Sequence, residues 1–390
     1  MSNAEQLTVT VGKPRIILRS VNYPGLYKFP DGSIVVSGYH GPKQTDQYHI
    51  KSFDQGHTWK PCTMDLREQI NGSMGTLSDG TVLVLRAETV PVTDTPGMYT
   101  GTLWRSADSW HTIVGPEPYY VQGPKVVTAL GDDEQERTGP IFHGRLVVLP
   151  NGDLLGTMYT RLEDDRTETP NGVEWKERAI LVRSSDRGRN WSYVSTIACL
   201  GALKGSVDPK IISEWQEGFN EAAIALLPDG KLLCLMRTGP SAPWAEPSDS
   251  YHDLATTTFK NGQYYPASPL PANSLYQAIS TDGGTTWSTP VSAAPTRGAC
   301  PRLLVLSNGW LALSYGRLTR ETQGNCIAFS NDAGKTWINE TLISPNLSSG
   351  YTGITEIAPG KILLVFDVVT SWPPQYTPDW IGAADIHVDQ

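Results

Sequence analysis

The chain has 390 residues and a formal net charge of −9, with 40 acidic against 31 basic side chains. This acidic balance argues against a general nucleic-acid partner, and no apolar run in the sequence is long enough to span a membrane. The 37 glycines and 29 prolines are typical of a turn-rich all-β protein. Length alone would favour more than one domain, but an internal repeat predicts a single domain over residues 5–390.

The N-terminal residues bear on the compartment and on the first strand. Ser2-Asn3-Ala4 resembles the remnant of a cleaved tag, so residues 1–4 are set apart from the domain. No signal peptide is visible, and the sequence as it stands indicates a cytoplasmic protein. The protein would be secreted or periplasmic if an export signal had preceded this segment. The first predicted strand lies near Leu7–Leu18.

Two kinds of turn alternate along the chain. Short turns between apolar runs predict hairpins, because Asx-Gly favours tight β-turns; they are Asp31-Gly32, Asp79-Gly80, Asn151-Gly152, Asp229-Gly230, Asn308-Gly309 and Pro359-Gly360. A Ser-x-Asp-x-Gly-x-Thr/Asn-Trp signature also repeats, in full or shortened, at Ser52–Trp59, Ser106–Trp110, Ser184–Trp191, Ser280–Trp287 and Ser330–Trp337. In this signature Ser and Asp bond nearby backbone, Gly supplies a positive φ, and Trp anchors the turn.

The two repeats together predict an all-β fold, a six-bladed β-propeller with four-stranded antiparallel blades. The sixth unit ends at Ile381–His387 with no strand after it. We therefore expect the N-terminal strand to supply the fourth strand of that blade and to close the ring, which also removes open sheet edges.

Cysteine content points to no metal or redox site. The five cysteines are an odd number without metal-like spacing, and buried free thiols are the expected state; they are Cys62, Cys199, Cys234, Cys300 and Cys326. No metal and no cofactor are predicted, and we expect a monomer.

The residues that flank each Asx-Gly turn should meet at one rim of the ring, opposite the Ser/Asp/Trp turns. Those expected at the rim are Tyr23, Tyr39, His40, Asn71, Arg86, His143, Tyr159, Arg161, Glu221, Arg237, Cys300, Tyr315, Arg317, Tyr351 and Asp367. Arginine forks match carboxylate geometry. A cationic rim with aromatic walls in an acidic protein predicts a pocket for an acidic sugar.

These residues resemble the sialidase (neuraminidase) superfamily of six-bladed propellers with Asp-box turns. The sharpest similarity is the segment Phe219–Arg237, which resembles the one that carries a catalytic glutamate and an arginine of the carboxylate-binding triad. Gly350–Ile354 resembles the segment of the nucleophilic tyrosine. The resemblance implies that Tyr351 attacks the anomeric carbon while Glu221 accepts its proton.

Three further positions follow from the same resemblance. Asp46 lies in the loop where the family keeps its acid/base aspartate. Arg317 or Arg320 would match the third triad arginine. The sequence departs from the family at Asn22, which stands where the first triad arginine belongs; Arg19 or Arg86 could substitute for it.

The sequence leaves several functions open. An exo-acting glycoside hydrolase that retains configuration, with exo-α-sialidase as the first expectation, would use Tyr351, Glu221 and Asp46, with Arg237, Arg317, Arg86, His143, Arg161, Tyr23 and Asn22 binding a glycan substrate. A hydrolase of neutral sugars such as arabinose would pair Glu221 with Asp46 or Asp367. A uronate lyase would use His143 and Tyr351 as proton carriers. A non-catalytic carbohydrate- or protein-binding propeller is the last alternative.

Overall fold

The computed structural model describes residues 7–40, 46–62, 73–130, 136–169, 172–203, 218–238, 257–260, 263–266, 274–318, 323–370 and 379–389. In these ranges the chain forms β-strands and two short 3-10 helices, Glu163–Asp165 and Leu200–Leu203, and it forms no α-helix. The all-β prediction is confirmed. No helix in this part of the chain has the length and apolarity needed to cross a membrane.

The strands form successive antiparallel units, here called units one to six. Unit one contains the strands Asn22–Lys28, Ile34–His40, Asp46–Ser52 and Lys60–Pro61. Unit two contains Ser73–Thr76, Val82–Leu85, Met98–Ser106 and Val114–Gln122, and the short strand Val90–Pro91 pairs with its third strand. Unit three contains Ile141–Val148, Leu154–Thr160, Arg178–Ser184 and Asn190–Ala198. A short parallel contact, Tyr120 to Asn190, links the outer strands of units two and three.

Units four and five share one long strand. Unit four is Phe219–Leu226, Leu232–Thr238, Ser274–Ser280 and the start of Val291–Val305; unit five is the end of that strand with Leu311–Leu318, Gln323–Ser330 and Ile338–Ser344. Three further hairpins are Ala129–Leu130 with Glu136–Arg137, Arg166–Thr169 with Gly172–Trp175, and Thr257–Lys260 with Gln263–Pro266.

Unit six combines the two ends of the chain. Three of its strands come from the C-terminal end of the chain: Thr352–Ala358, Lys361–Val368 and Trp380–Asp389. Two come from the N-terminal end, Thr8–Val11 and Arg15–Arg19, and both pair antiparallel with Trp380–Asp389. The salt bridge from Arg15 to Asp385, at 2.6 Å, reinforces this pairing.

Buried apolar clusters lie between successive units. Val35 and Val84 pack between units one and two, and Leu181 and Leu232 between units three and four. A cluster that includes Val36 and Leu363 joins unit six to unit one. The first strands of all six units line one cavity, through Gly25, Leu26, Tyr27, Met74, Gly144, Arg145, Ala223, Ile224, Arg302, Leu303, Gly353 and Ile354.

The Ser/Asp/Trp turns have the predicted hydrogen bonds. In the first, the Ser52 hydroxyl donates to Asp54 Oδ1 and accepts from the Gly56 N–H, both at 2.8 Å. The Asp54 carboxylate accepts from the N–H and hydroxyl of Thr58, and the Trp59 indole N–H donates to the Gly56 carbonyl. Gly56 has φ +88°, as the turn requires.

The shortened copy keeps the Ser106 and Asp108 bonds but changes the turn residue, and its indole N–H has no partner among the residues that the structure describes. Trp110 occupies the position of the glycine, with φ +72°, and its N–H donates to Ser106 at 2.7 Å. The five cysteines are free thiols, as predicted; however, Cys62 and Cys199 are half-buried rather than buried.

Candidate active site

A β-bulge recurs near the start of the first strand in four units. Pairing with the second strand shifts between Asn22 and Gly25, His143 and Val147, Asn220 and Ala223, and Ala299 and Arg302. Three non-glycine bulge residues have left-handed backbone, Tyr23 at φ +54°, Glu221 at +43° and Cys300 at +54°, and the bulge at His143 has Gly144 at +83°. Such a conformation costs a non-glycine residue about 1–2 kcal/mol, and bulges re-aim side chains at functional sites.

Glu221 is the centre of a buried polar cluster. The Tyr351 hydroxyl donates a hydrogen bond to Glu221 Oε1, although the two residues are 130 positions apart. The other carboxylate oxygen, Oε2, lies 3.4 Å from the Arg237 guanidinium and accepts from the Cys300 thiol at 3.0 Å. Glu221 is only 6% exposed, so its charge is compensated by protein groups rather than by water.

The surroundings keep Glu221 ionised. Burial alone would raise the pKa of the Glu221 carboxyl, but the charges of Arg237 and His143 and the hydrogen bonds from Tyr351 and Cys300 outweigh burial and lower this pKa to about 2. Tyr351 shows the reverse effect: burial first, and then the Glu221 charge, raise the pKa of its phenol well above the usual value. The pair therefore holds its proton on Tyr351, hydrogen-bonded to the Glu221 carboxylate.

His143 lies close enough to Glu221 for their charges to interact. Burial, with a further contribution from Arg302, lowers the pKa of the His143 imidazole to about 4, so the ring is neutral near pH 7. Its Nδ1 is 3.4 Å from the Ala222 carbonyl, and its buried Nε2 has no hydrogen-bond partner among the described residues.

Asp367 organises the two tyrosines. Its carboxylate accepts from the Tyr23 N–H at 2.9 Å and from the Ser349 N–H at 2.9 Å, two residues before Tyr351. The Tyr23 and Tyr351 rings meet edge to face, with centroids 5.3 Å apart. Burial raises the pKa of Asp367. This fully buried carboxylate therefore ties the backbone before Tyr351 to the backbone of Tyr23.

Asn22 stands where the first triad arginine was expected. It is fully buried, and its amide donates to Asp379 at 3.3 Å. Its Oδ1 is also buried and has no partner in the described part of the chain.

Three other predicted arginines contact carboxylates of their own. Arg161 pairs with Glu177 at 2.8 Å, Arg317 pairs with Glu340 at 3.4 Å, and Arg86 contacts Glu88 at 3.5 Å. Arg86 also lines a separate surface depression with Thr102 and Glu117. Of the four arginines predicted at the rim, Arg237 forms its ion pair with Glu221, whereas the other three form theirs with other carboxylates.

The remaining positions are defined only in part. The backbone of Asp46 pairs with His40, at the start of the third strand of unit one, and its side chain lies outside the described residues. Asn71 and Arg320 also lie outside them. Arg19 lies in a strand that pairs with Trp380.

Sequence reasoning missed one residue of this region, Arg302. Its guanidinium carbon lies 5.8 Å from the centre of the Tyr351 ring. The available signal was its position, two residues after Cys300 on the same strand. Arg145 has the same relation to His143.

The comparisons with known proteins agree with this architecture. The BNR/Asp-box repeat family matches residues 278–289, and no curated protein sequence matches the chain. A protein of unknown function from Dyadobacter fermentans is similar in structure, with TM-score 0.63 and 18% identity over 98% of this chain and 99% of that one.

Two glycosidases are similar at lower scores. The Hadza microbial sialidase Hz136 gives TM-score 0.57 at 17% identity, covering 93% of this chain and 65% of the sialidase. The α-L-arabinanase of Penicillium chrysogenum, complexed with arabinobiose, gives TM-score 0.57 at 13% identity, covering 97% and 98%. The resemblance to the sialidase superfamily is thus confirmed at the level of the fold: the chain carries an Asp-box repeat and has the fold of sialidases and arabinanases at low sequence identity.

Proposed function

We propose that the protein is a six-bladed β-propeller and an exo-acting, retaining glycoside hydrolase that removes a terminal acidic sugar, with sialic acid as the first candidate. The propeller is supported by the contact of unit six with unit one and by the shared cavity of the six first strands. The pairing of Thr8–Val11 and Arg15–Arg19 with the last strand would close the ring.

The observation that carries the hydrolase proposal is the hydrogen bond from Tyr351 to ionised Glu221. In the proposed first step the Tyr351 oxygen attacks the anomeric carbon and Glu221 takes the phenol proton. The bond from the anomeric carbon to the leaving oxygen breaks, and Asp46 protonates that oxygen. Water then attacks the anomeric carbon of the glycosyl–tyrosine and the bond to the Tyr351 oxygen breaks. The water proton passes to Asp46, and Glu221 returns its proton to the Tyr351 oxygen.

A tyrosine nucleophile suits an anionic sugar. A carboxylate nucleophile would repel the negative charge of the substrate, whereas the neutral phenol of Tyr351 does not. The raised pKa of Tyr351 means that the phenolate forms only as the proton moves to Glu221, so charge develops during the attack. Arg237 keeps Glu221 ionised for this transfer.

We further propose that the substrate is bound by Arg237 together with Tyr23, Asn22 and His143, and, at the outer rim, by Arg86, Arg161 and Arg317. A carboxylate ligand would share Arg237 with Glu221, since a guanidinium has five N–H donors. Arg161 and Arg317 would each need to keep a carboxylate partner while binding the substrate.

A uronate lyase is the second candidate, and one observation favours it. The neutral His143 ring has a buried Nε2 without a described partner, which could accept a proton from a sugar carbon. The Tyr351–Glu221 hydrogen bond favours the hydrolase, since a lyase would need Tyr351 available as a proton donor.

A panel of methylumbelliferyl glycosides tests the proposal, with ultraviolet absorbance of uronate polymers followed in parallel. Fluorophore release from the sialoside is expected. Release only from a neutral sugar, such as an arabinoside, would contradict the acidic substrate, and a rise in absorbance would identify a lyase. No signal from any substrate would favour a binding propeller.

A further inference from the structure

Two arginines enter the central cavity without a carboxylate beside them. Arg145 comes from unit three and Arg302 from unit five, and both line the cavity with Tyr27 and Met74. Within the described residues, neither guanidinium is within ion-pair distance of an acidic side chain. Every other side chain that lines this cavity is uncharged.

The partners of Arg145 and Arg302 do not cancel their charges. Arg145 donates to the Leu26 and Ile354 carbonyls, at 3.2 Å and 2.6 Å, and lies 5.9 Å from the Tyr27 ring centre. Arg302 donates to the Pro301 carbonyl at 3.4 Å and lies over the Tyr351 ring. Carbonyl dipoles and ring faces stabilise a cation only in part.

The two charges also act on each other. Burial lowers the pKa of Arg145; the interaction with Tyr27 raises it, and the positive charge of Arg302 has a smaller lowering effect. Two like charges that face one cavity in a protein interior are unfavourable unless an anion lies between them.

We propose that this cavity is a binding site for one small monovalent anion, held by Arg145 and Arg302 beneath the Glu221–Tyr351 cluster. The anion is either a free halide or the carboxylate of an acidic ligand, since both present one compact negative charge to the guanidinium N–H groups. The site is separate from the pairing of Arg237 with Glu221, and its occupancy can be measured without turnover.

Thermal unfolding in chloride, with isethionate replacing chloride at constant ionic strength, tests the site in solution. A ligand that binds only the folded state raises the melting temperature with the logarithm of its concentration once that concentration exceeds Kd, here by about 1–3 °C. Arg302→Met should abolish this rise. The matched control is Arg187→Met, which removes an exposed arginine that pairs with Asp79 and should keep the rise.

The same titration with the sodium salt of N-acetylneuraminic acid distinguishes the two sources. An Arg302-dependent rise with the acidic sugar but not with chloride would identify a ligand carboxylate; the reverse would identify a free halide. If chloride gives the rise, a bromide-soaked crystal should show an anomalous peak between Arg145 and Arg302. The proposal is overturned if neither anion raises the melting temperature, if Arg302→Met leaves every response unchanged, or if a chloride response is accompanied by no bromide peak.

Discussion

Replacing Glu221 by glutamine tests the proton acceptor at the centre of the site. The substitution removes the negative charge while it keeps the size of the side chain and a carbonyl acceptor. Removal of a general base lowers turnover by about 100-fold to 10,000-fold, which corresponds to about 3–5 kcal/mol in the activation barrier. Because the Glu221 charge raises the pKa of Tyr351, the variant should also lower that pKa.

The folded state should survive this change. Arg237 loses its carboxylate partner, and breaking a buried ion pair costs about 3–5 kcal/mol, which is less than the stability of many domains. The assay is kcat/KM on the glycoside that the panel identifies, with a thermal melt on the same sample. Glu356→Gln is the matched control, because Glu356 bonds Ser307 and Gly360 at the far end of the strand that follows Tyr351. Wild-type turnover in folded Glu221→Gln would refute the reasoning.

Three further predictions concern the nucleophile, the turns and acid stability. Tyr351→Phe should lower turnover at least ~100-fold and leave the melting temperature close to that of the wild type, because the ring packing on Tyr23 remains; full activity would exclude Tyr351 as nucleophile. Asp54→Ala should lower the melting temperature, since it removes the acceptor of both Thr58 bonds, and should leave kcat/KM of the folded fraction unchanged. Loss of activity without loss of stability would mean that the active site lies on the face of the Ser/Asp/Trp turns. Burial lowers the pKa of His49, as it does that of His143, from 6.5 to about 4. The unfolded chain therefore binds more protons between these values, and the free energy of unfolding should fall as pH drops from about 6.5 to about 4. Urea melts at several pH values in this window should show that the free energy of unfolding of His49→Leu changes less with pH than that of the wild type. An unchanged pH dependence would contradict the prediction.

Local chemistry made the turns predictable from the sequence. The Ser52 and Asp54 side chains satisfy backbone N–H groups within their own turn, so the pattern forms the same geometry wherever it occurs. Trp110 departs from this pattern, because it has a positive φ at the position where the other turns have glycine.

Repetition also made part of the site predictable. Glu221 and Tyr351 lie near the starts of the first strands of different units, and the two side chains are in contact. Counting from the Asx-Gly turns places both in one set. Arg237 was also predictable, because it lies on the second strand of the hairpin whose first strand carries Glu221.

The rest depended on contacts that no spacing encodes. Arg161 meets Glu177 and Arg317 meets Glu340 through the packing of other strands, so a shared register did not create one arginine cluster. The bulge beside Cys300 sets where Arg302 lies, and bulges leave no clear sequence signal.

The most direct test of the central claim is peptide mass mapping after incubation with a fluorinated analogue of the released sugar, chosen to form the covalent intermediate faster than water removes it. The account predicts one glycosyl adduct on the peptide that contains Tyr351, absent in Tyr351→Phe. An active enzyme with the adduct on another residue, or with inversion at the anomeric carbon, would contradict a Tyr351–Glu221 mechanism.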